Sequence, residues 1–349
     1  MKQHKQEKIL ILTSRFGNGH YSVSEALMEE YSEQGHTVQI LDIVEVIFPK
    51  LHKAIYKIFS NIICRNGRLY NFCNSFGLKE RKAKSNKKLM QKITRLSPDR
   101  IVITWSGCSK MLGNTVIPVT VCITDMALHP GWIYPKAEIY LVASDDVAKK
   151  LSEYGVPHSK IVANGIPVKK AFHYGLKFVT SKRKLLIMGG GLGIIPWLGA
   201  VLDRLATQNS IEITVIAGRN EKLRRYLTNS YPTIRTIGFT NELHRYLSQA
   251  DLVVSKPGGV SIFESIYVGT PFVAVYPEFA HEIDNANYLI KSKIGAVIWK
   301  GEAIEAQILS FINDTEYLQQ CRYSMARLRN GFYQGQRYRK LEKVYQYAV

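Results

Sequence analysis

The stretch Lys8-Ile-Leu-Ile-Leu-Thr-Ser-Arg-Phe-Gly-Asn-Gly-His20 decides the fold. Its opening run of Ile and Leu does not alternate with polar residues, the pattern of a strand buried on both faces. The run ends in a glycine-containing loop, and a helical pattern begins at about Ser22. Strand, tight loop and helix start in succession is the unit from which parallel α/β sheets are built. The free N–H groups and dipole at such a helix start favour an anion in the loop.

The same unit recurs outward from there. Lys8–Ser14, Thr37–Ile43, Arg100–Trp105, Val119–Asp125 and Ile139–Ser144 read as buried parallel strands separated by helical stretches, which predicts one Rossmann-like α/β domain over residues 1–167. Residues 168–184 are basic and without strong periodicity, and are expected to be a linker. The strand pattern restarts with Leu185–Met188, Ile211–Ala217, Ile234–Phe239, Leu252–Ser255, Pro271–Tyr276 and Ala296–Trp299, predicting a second Rossmann-like domain over 185–330. Residues 331–349 are expected to form a C-terminal helix returning to the first domain. A length of 349 residues, 46% of them apolar, suffices for two such cores.

Forty-seven Lys and Arg against 28 Asp and Glu leave a net charge of +19, which calls for an anionic partner. The excess is localised: Lys50 to Arg100 holds fourteen basic residues against Glu80 and Asp99. Within it Leu51, Ala54, Ile55, Ile58, Phe59, Ile62 and Ile63 recur at helical spacing, with Lys53 and Lys57 on another face. Arg65, Arg68 and further cations follow, interleaved with Leu69, Tyr70, Phe72 and Phe76. Packing on the sheet would explain the periodicity alone. Cations among aromatics also suit an anionic phospholipid surface, or RNA, although no nucleic-acid-binding signature accompanies them. No run approaches the roughly 18 to 20 apolar residues needed to span a bilayer, and the N-terminus lacks a signal-peptide core, so a cytoplasmic protein peripheral to a membrane is expected. The five cysteines, Cys64, Cys73, Cys108, Cys122 and Cys321, show no metal or disulfide spacing and read as reduced packing residues.

Five loops carry candidate chemistry. In the first, Gly19 precedes His20 at the helix start; a cap or packing role is the bland alternative for that histidine. The sequence GNGHYS lacks the third glycine of a dinucleotide fingerprint, which discounts NAD. The second loop, Thr124-Asp-Met-Ala-Leu-His-Pro-Gly-Trp132, follows a strand, where open α/β sheets place ligands, and offers Asp125, His129 and Trp132. Asp125 would equally serve as a helix N-cap. In the second domain, Met188-Gly-Gly-Gly-Leu-Gly193 brings Gly190 and Gly191 where a phosphate can approach closely. Ser255-Lys-Pro-Gly-Gly-Val-Ser-Ile-Phe-Glu-Ser265 places Ser255, Gly258, Gly259 and Ser261 at a helix start, with Glu264 able to accept two ribose hydroxyls. After a further strand, His281, Glu282 and Asn285 offer polar groups for sugar hydroxyls or, more blandly, a capped helix start. Phe239, closing another strand run, completes the donor-binding candidates.

These residues carry a family resemblance. SRFGNGH at 14–20, TDMALHPGW at 124–132, residues 142–168, SKPGGVSIFES and HEIDNAN resemble the diacylglycerol glycosyltransferases, the bacterial processive glucosyltransferases and the monogalactosyldiacylglycerol synthases. Those enzymes are related to the transferase that adds N-acetylglucosamine to lipid I. The resemblance implies a GT-B fold of two Rossmann-like domains facing across a cleft. It implies inverting, metal-independent transfer of a hexose from a UDP-sugar to diacylglycerol or a glycosyl-diacylglycerol, with no cofactor, on the inner face of the membrane. It makes His20 and Asp125 the candidate catalytic residues, Glu264 the ribose ligand, and Glu282 and Asn285 the sugar ligands. His281 stands where the family usually has glutamine, which bears on the donor sugar. His129, Trp132, Lys53, Lys57, Phe59, Arg65 and Arg68 are the expected acceptor and membrane contacts. A polyprenyl-linked or other amphiphilic acceptor, a UDP-sugar epimerase and a nucleic-acid-binding protein are the competing readings.

Overall fold

The computed structural model describes residues 6–16, 18–65, 86–174 and 182–332, the side chains of 60–65 and 200 excepted. The chain divides into two compact units, one built from residues up to Lys169 and one spanning Lys170–Gly331. Each holds a six-stranded parallel sheet among its described residues.

In the first unit β1 (Lys8–Thr13), β2 (Thr37–Asp42), β3 (Arg100–Ile103), β4 (Val119–Cys122), β5 (Ala137–Val142) and β6 (Ile161–Ala163) lie in the order β2-β1-β3-β4-β5-β6. The three-residue β6 is too short to stand out as an apolar run, and only its pairing with β5 reveals it. In the second unit β7 (Arg183–Met188), β8 (Ile211–Ile216), β9 (Arg235–Ile237), β10 (Leu252–Ser255), β11 (Phe272–Val275) and β12 (Gly295–Ile298) lie in the order β12-β11-β10-β7-β8-β9. The central strands are buried along their length, as runs covered on both faces must be.

Strand order reverses between β1 and β3 and between β7 and β10, and ligands of open α/β sheets bind outside the carboxyl ends of the strands at such switch points. The opposite ends are pinned alike in both units. Lys8 N donates to Asp99 Oδ2 at 2.7 Å while Asp99 N donates to the Lys8 carbonyl at 2.8 Å. Lys184 N donates to Asp251 Oδ2 at 3.0 Å while Asp251 N donates to the Lys184 carbonyl at 2.8 Å.

Several boundaries differ from expectation. The helix after β1 starts at Gly19, running to Glu33, because a glycine and a histidine with weak helical preference are recruited by the loop geometry. The basic stretch expected as a linker is not uniform. Lys170–Tyr174 forms a 3-10 turn in which Phe172 is buried against His244, at 6.0 Å between rings, and Arg183 and Lys184 already belong to β7. Residues 175–181, the C-terminal segment 333–349, Arg68 and the side chain of Arg65 lie outside the described residues, so the expected C-terminal return and those two membrane contacts do too. Cys108, Cys122 and Cys321 are buried and are in no disulfide.

The helix His52–Arg65 corrects one expectation in detail. The predicted apolar stripe is split: Leu51 and Ile58 are 58% and 59% exposed, whereas Ile55 and Phe59 are partly covered. The residue that anchors the helix is Tyr56, whose hydroxyl gives it a buried polar partner that an apolar count ignores.

Candidate functional site

At the carboxyl ends of β1 and β4 the structure joins two of the predicted loops. His20, in the first turn of the helix Gly19–Glu33, has its Nδ1 2.8 Å from Thr124 Oγ1, beside Asp125. The threonine hydroxyl can donate to or accept from Nδ1, so the contact fixes where the ring sits and is compatible with either neutral tautomer. The backbone beneath His20 is fixed by a buried hydroxyl relay: Ser24 Oγ donates to the His20 carbonyl at 2.9 Å and lies 2.8 Å from Thr104 Oγ1 at the end of β3. Thr13 Oγ1 and Ser14 Oγ, fully buried at the end of β1, have no hydrogen-bond partner among the described residues, which concentrates polar groups at this strand end. Asn18, the N-cap of the helix, makes no side-chain capping bond, leaving the first amides to other acceptors.

Asp125 does not cap a helix. It lies in a bend after β4, half-buried, and the next helical turn is the 3-10 segment Pro130–Trp132, whose N-cap is His129, accepting from Gly131 N at 3.2 Å through Nδ1. Trp132 also departs from expectation. At 2% exposure it cannot meet a membrane; it packs edge-on to His20 at 6.3 Å and tilted against His129 at 6.1 Å. Its indole forms a wall that sets the plane of the His20 ring. Thr124, Thr104 and Ser24 were not singled out from sequence, although Thr124 stands directly before Asp125.

In the second unit the predicted glycines divide into two kinds. A Cβ on Gly193 would lie 1.8 Å from the Ala217 carbonyl oxygen, and one on Gly189 2.5 Å from Ile194 N, so these glycines serve close packing of the loop on its neighbours. Gly190, at φ +65, faces open space. The loop is held by Arg219 N donating to the Gly191 carbonyl and by Asn220 Nδ2 donating to the Gly193 carbonyl, both at 3.1 Å. It does not open a helix directly: the next helix begins at Leu198. Phe239 is half-exposed beside it, with the Arg219 guanidinium 4.6 Å above its ring, so a cation and an aromatic share the carboxyl ends of β8 and β9.

Across the switch point, Gly258 caps the helix Gly259–Val268 without a side-chain bond, leaving its first amides available to an anion. Gly259 is buried, Ser261 half-buried, and Glu264 is 7% exposed in the second turn. The Ser255 hydroxyl donates to the Met188 carbonyl at 2.9 Å, tying β10 to β7. Asn285, fully buried, donates through Nδ2 to the Pro257 carbonyl at 2.9 Å and so shapes the turn before that helix. Glu282 reaches back to the amides of Glu278 and Phe279 at 3.1 and 3.4 Å and faces Lys256 Nζ at 3.5 Å. The bland alternative for Glu282, a helix cap, is thus present in the structure. His281 stacks on Phe279 at 5.6 Å. Lys256, unremarked in the sequence, joins these parts through Glu282 and the Phe279 ring, 5.8 Å away. Among the described residues, no three His, Cys, Asp or Glu side chains are placed to hold a metal ion.

Known proteins match this arrangement in both units. Residues 20–168 match the monogalactosyldiacylglycerol (MGDG) synthase family, and residues 185–335 the glycosyltransferase family 28 C-terminal domain. A processive diacylglycerol beta-glucosyltransferase of Bacillus pumilus is 26% identical over 358 aligned positions, covering 92% of this chain and 91% of that protein. Among solved structures, MurG of Acinetobacter baumannii superposes with a TM-score of 0.57 at 14% identity over 93% of this chain and 95% of its own. The calicheamicin glycosyltransferase CalG4 gives 0.66 at 12% identity over 98% of both. Two switch-point sheets with the GT-B fold, carrying these two family domains, define a GT-B glycosyltransferase. Within that class the chain belongs to the diacylglycerol glycosyltransferase family, its first unit matching the MGDG synthase family and nearly its whole length a processive diacylglycerol beta-glucosyltransferase.

Proposed function

We propose that the chain transfers a hexose from a UDP-sugar to the hydroxyl of diacylglycerol, or of a glycosylated diacylglycerol, with inversion, at an anionic membrane surface. The observation that carries this reading is the 2.8 Å contact between His20 and Thr124, which gathers the two loops most specific to the family at one strand end. His20, or Asp125 next along the chain from Thr124, takes the proton as the acceptor oxygen attacks the anomeric carbon, and UDP departs from the opposite face. In the second unit the amides at Gly258 and Gly259 and the loop at Gly190 and Gly191 receive the diphosphate, supplying by preorganised donors the stabilisation that other enzymes draw from a cation. Glu264 holds the ribose. Asn285 and Glu282 act on the sugar through the turn they shape as much as by contact.

The membrane setting is supported by the helix His52–Arg65, which exposes Ile58 alongside Lys53 and Lys57, with Leu51 exposed just before its start. Apolar groups flanked by lysines suit the headgroup boundary, each cation contributing about 1 kcal/mol near an anionic surface. No helix among the described residues is long and apolar enough to cross a membrane. On this reading the protein works from the inner face, where UDP-sugars and anionic lipids meet. The test is direct: purified protein, vesicles containing diacylglycerol and a panel of UDP-sugars, with products identified by mass spectrometry. A glycosyl-diacylglycerol is expected. UDP-sugar consumption without a lipid product would overturn the proposal.

A further inference from the structure

The helix His52–Arg65 has a second face, which grips the loop leading into His20. Tyr56 Oη accepts the Arg15 N–H at 3.0 Å and donates to Asp42, whose carboxylate oxygens lie at 2.7 and 2.8 Å. Asp42 is itself held, capping the short helix Ile43–Ile47 through Val44 N at 3.0 Å, with Arg15 Nε 3.7 Å away. Burial pushes the Tyr56 phenol well above its ordinary range, against the Arg15 N–H, and Asp42 adds to the rise. The hydroxyl therefore stays a donor at any working pH. One residue further along, the Phe16 ring packs between Tyr56 at 5.0 Å, Phe59 at 4.7 Å and Trp105 at 5.2 Å. The Trp105 ring in turn packs over Gly107, in the space a Cβ there would take.

One helix thus presents exposed apolar and basic groups outward and, a turn away, holds both Arg15 and Phe16, the residues just before the His20 loop. We propose that this helix couples occupancy of its outer face by an anionic lipid surface to the positioning of Arg15 and Phe16, and through them of His20, with Tyr56 as the positioning residue. The inference rests on the membrane reading given above. Docking restrains the helix; the two Tyr56 bonds and the Phe16 contacts pass that restraint to the loop; the general base is then held for turnover only at the surface that carries the acceptor. Tyr56 touches neither substrate, so its effect falls on turnover and not on donor binding.

The experiment uses the full chain and its Tyr56→Phe variant, which keeps the ring and loses both hydroxyl bonds. Hydrogen exchange of the peptide covering Ser14–His20 is followed with and without vesicles containing phosphatidylglycerol. In the wild type, exchange in this peptide is expected to slow several-fold on adding vesicles. In Tyr56→Phe it should be faster at the outset and respond little, although vesicle binding by sedimentation is unchanged. In the transfer assay kcat should fall about tenfold with the KM for UDP-sugar unaltered. Ile58→Asp, on the outer face, should lose vesicle binding and the slowing together while retaining wild-type exchange in solution. Equal exchange responses in wild type and Tyr56→Phe overturn the coupling. A normal exchange response in a protein that transfers no sugar supports the coupling and overturns the transferase reading instead.

Discussion

His20 and Thr124, 104 positions apart, meet at 2.8 Å, and through that contact the first and fourth strands of one sheet deliver their loops to a common point. A threonine hydroxyl at the Nδ1 side fixes the position and plane of the ring. Thr124→Val should therefore lower kcat about tenfold by releasing the ring, whereas His20→Ala should lower it by roughly 10² to 10⁴, the usual range for a lost general base. UDP affinity, measured by calorimetry, should stay within a factor of about two in both variants, since the donor loops belong to the other unit. Full activity in His20→Ala and in Asp125→Asn would remove both from the chemistry.

Glu282 carries a structural duty that shows in stability. Its buried carboxylate accepts two backbone amides and faces Lys256, so Glu282→Ala leaves those groups unpaired and should cost about 1 to 3 kcal/mol. Urea denaturation of the whole chain will read this as a lower midpoint at unchanged slope. An unaltered midpoint together with a lost UDP-sugar affinity would make the residue a sugar contact alone.

The glycines of the loop after β7 are not equivalent. Gly193→Ala places a methyl 1.8 Å from the Ala217 carbonyl oxygen at a positive φ, and should destabilise by more than about 2 kcal/mol because backbone must move. Gly190→Ala meets nothing within 4 Å and bears only the cost of its φ of +65, roughly 1 to 2 kcal/mol. Thermal unfolding should rank the two clearly, while UDP binding should suffer in Gly190→Ala despite its milder unfolding effect if that open face receives the diphosphate.

Surface association should depend on salt as a charge-assisted contact does. Sedimentation with phosphatidylglycerol vesicles should weaken between low and physiological ionic strength, as the Debye length contracts from about 30 Å at 0.01 M to about 8 Å at 0.15 M. Lys53→Glu with Lys57→Glu should abolish much of that dependence, and neutral vesicles should bind the wild type poorly. Salt-independent binding would point to the apolar groups alone.

Much of this protein was legible in its sequence. Unbroken apolar runs such as Lys8–Thr13 and Leu252–Ser255, each followed by glycine and a helical pattern, can be little other than strands of parallel sheets, because only burial on both faces tolerates them. Local spacing likewise announced the loops at His20, Asp125 and Gly258, since glycine, cap and strand end are neighbours in the chain. Tertiary structure alone decided what those loops meet. That Thr124 orients His20, that Trp132 is an interior wall, that Gly193 serves packing while Gly190 stays open, and that Tyr56 ties a surface helix to Arg15 are relations across tens of residues. The physical reason is one of range. Strand and helix propensities act over a few neighbouring residues, whereas a hydrogen bond or a ring contact depends on where the strand order of the sheet brings distant side chains together.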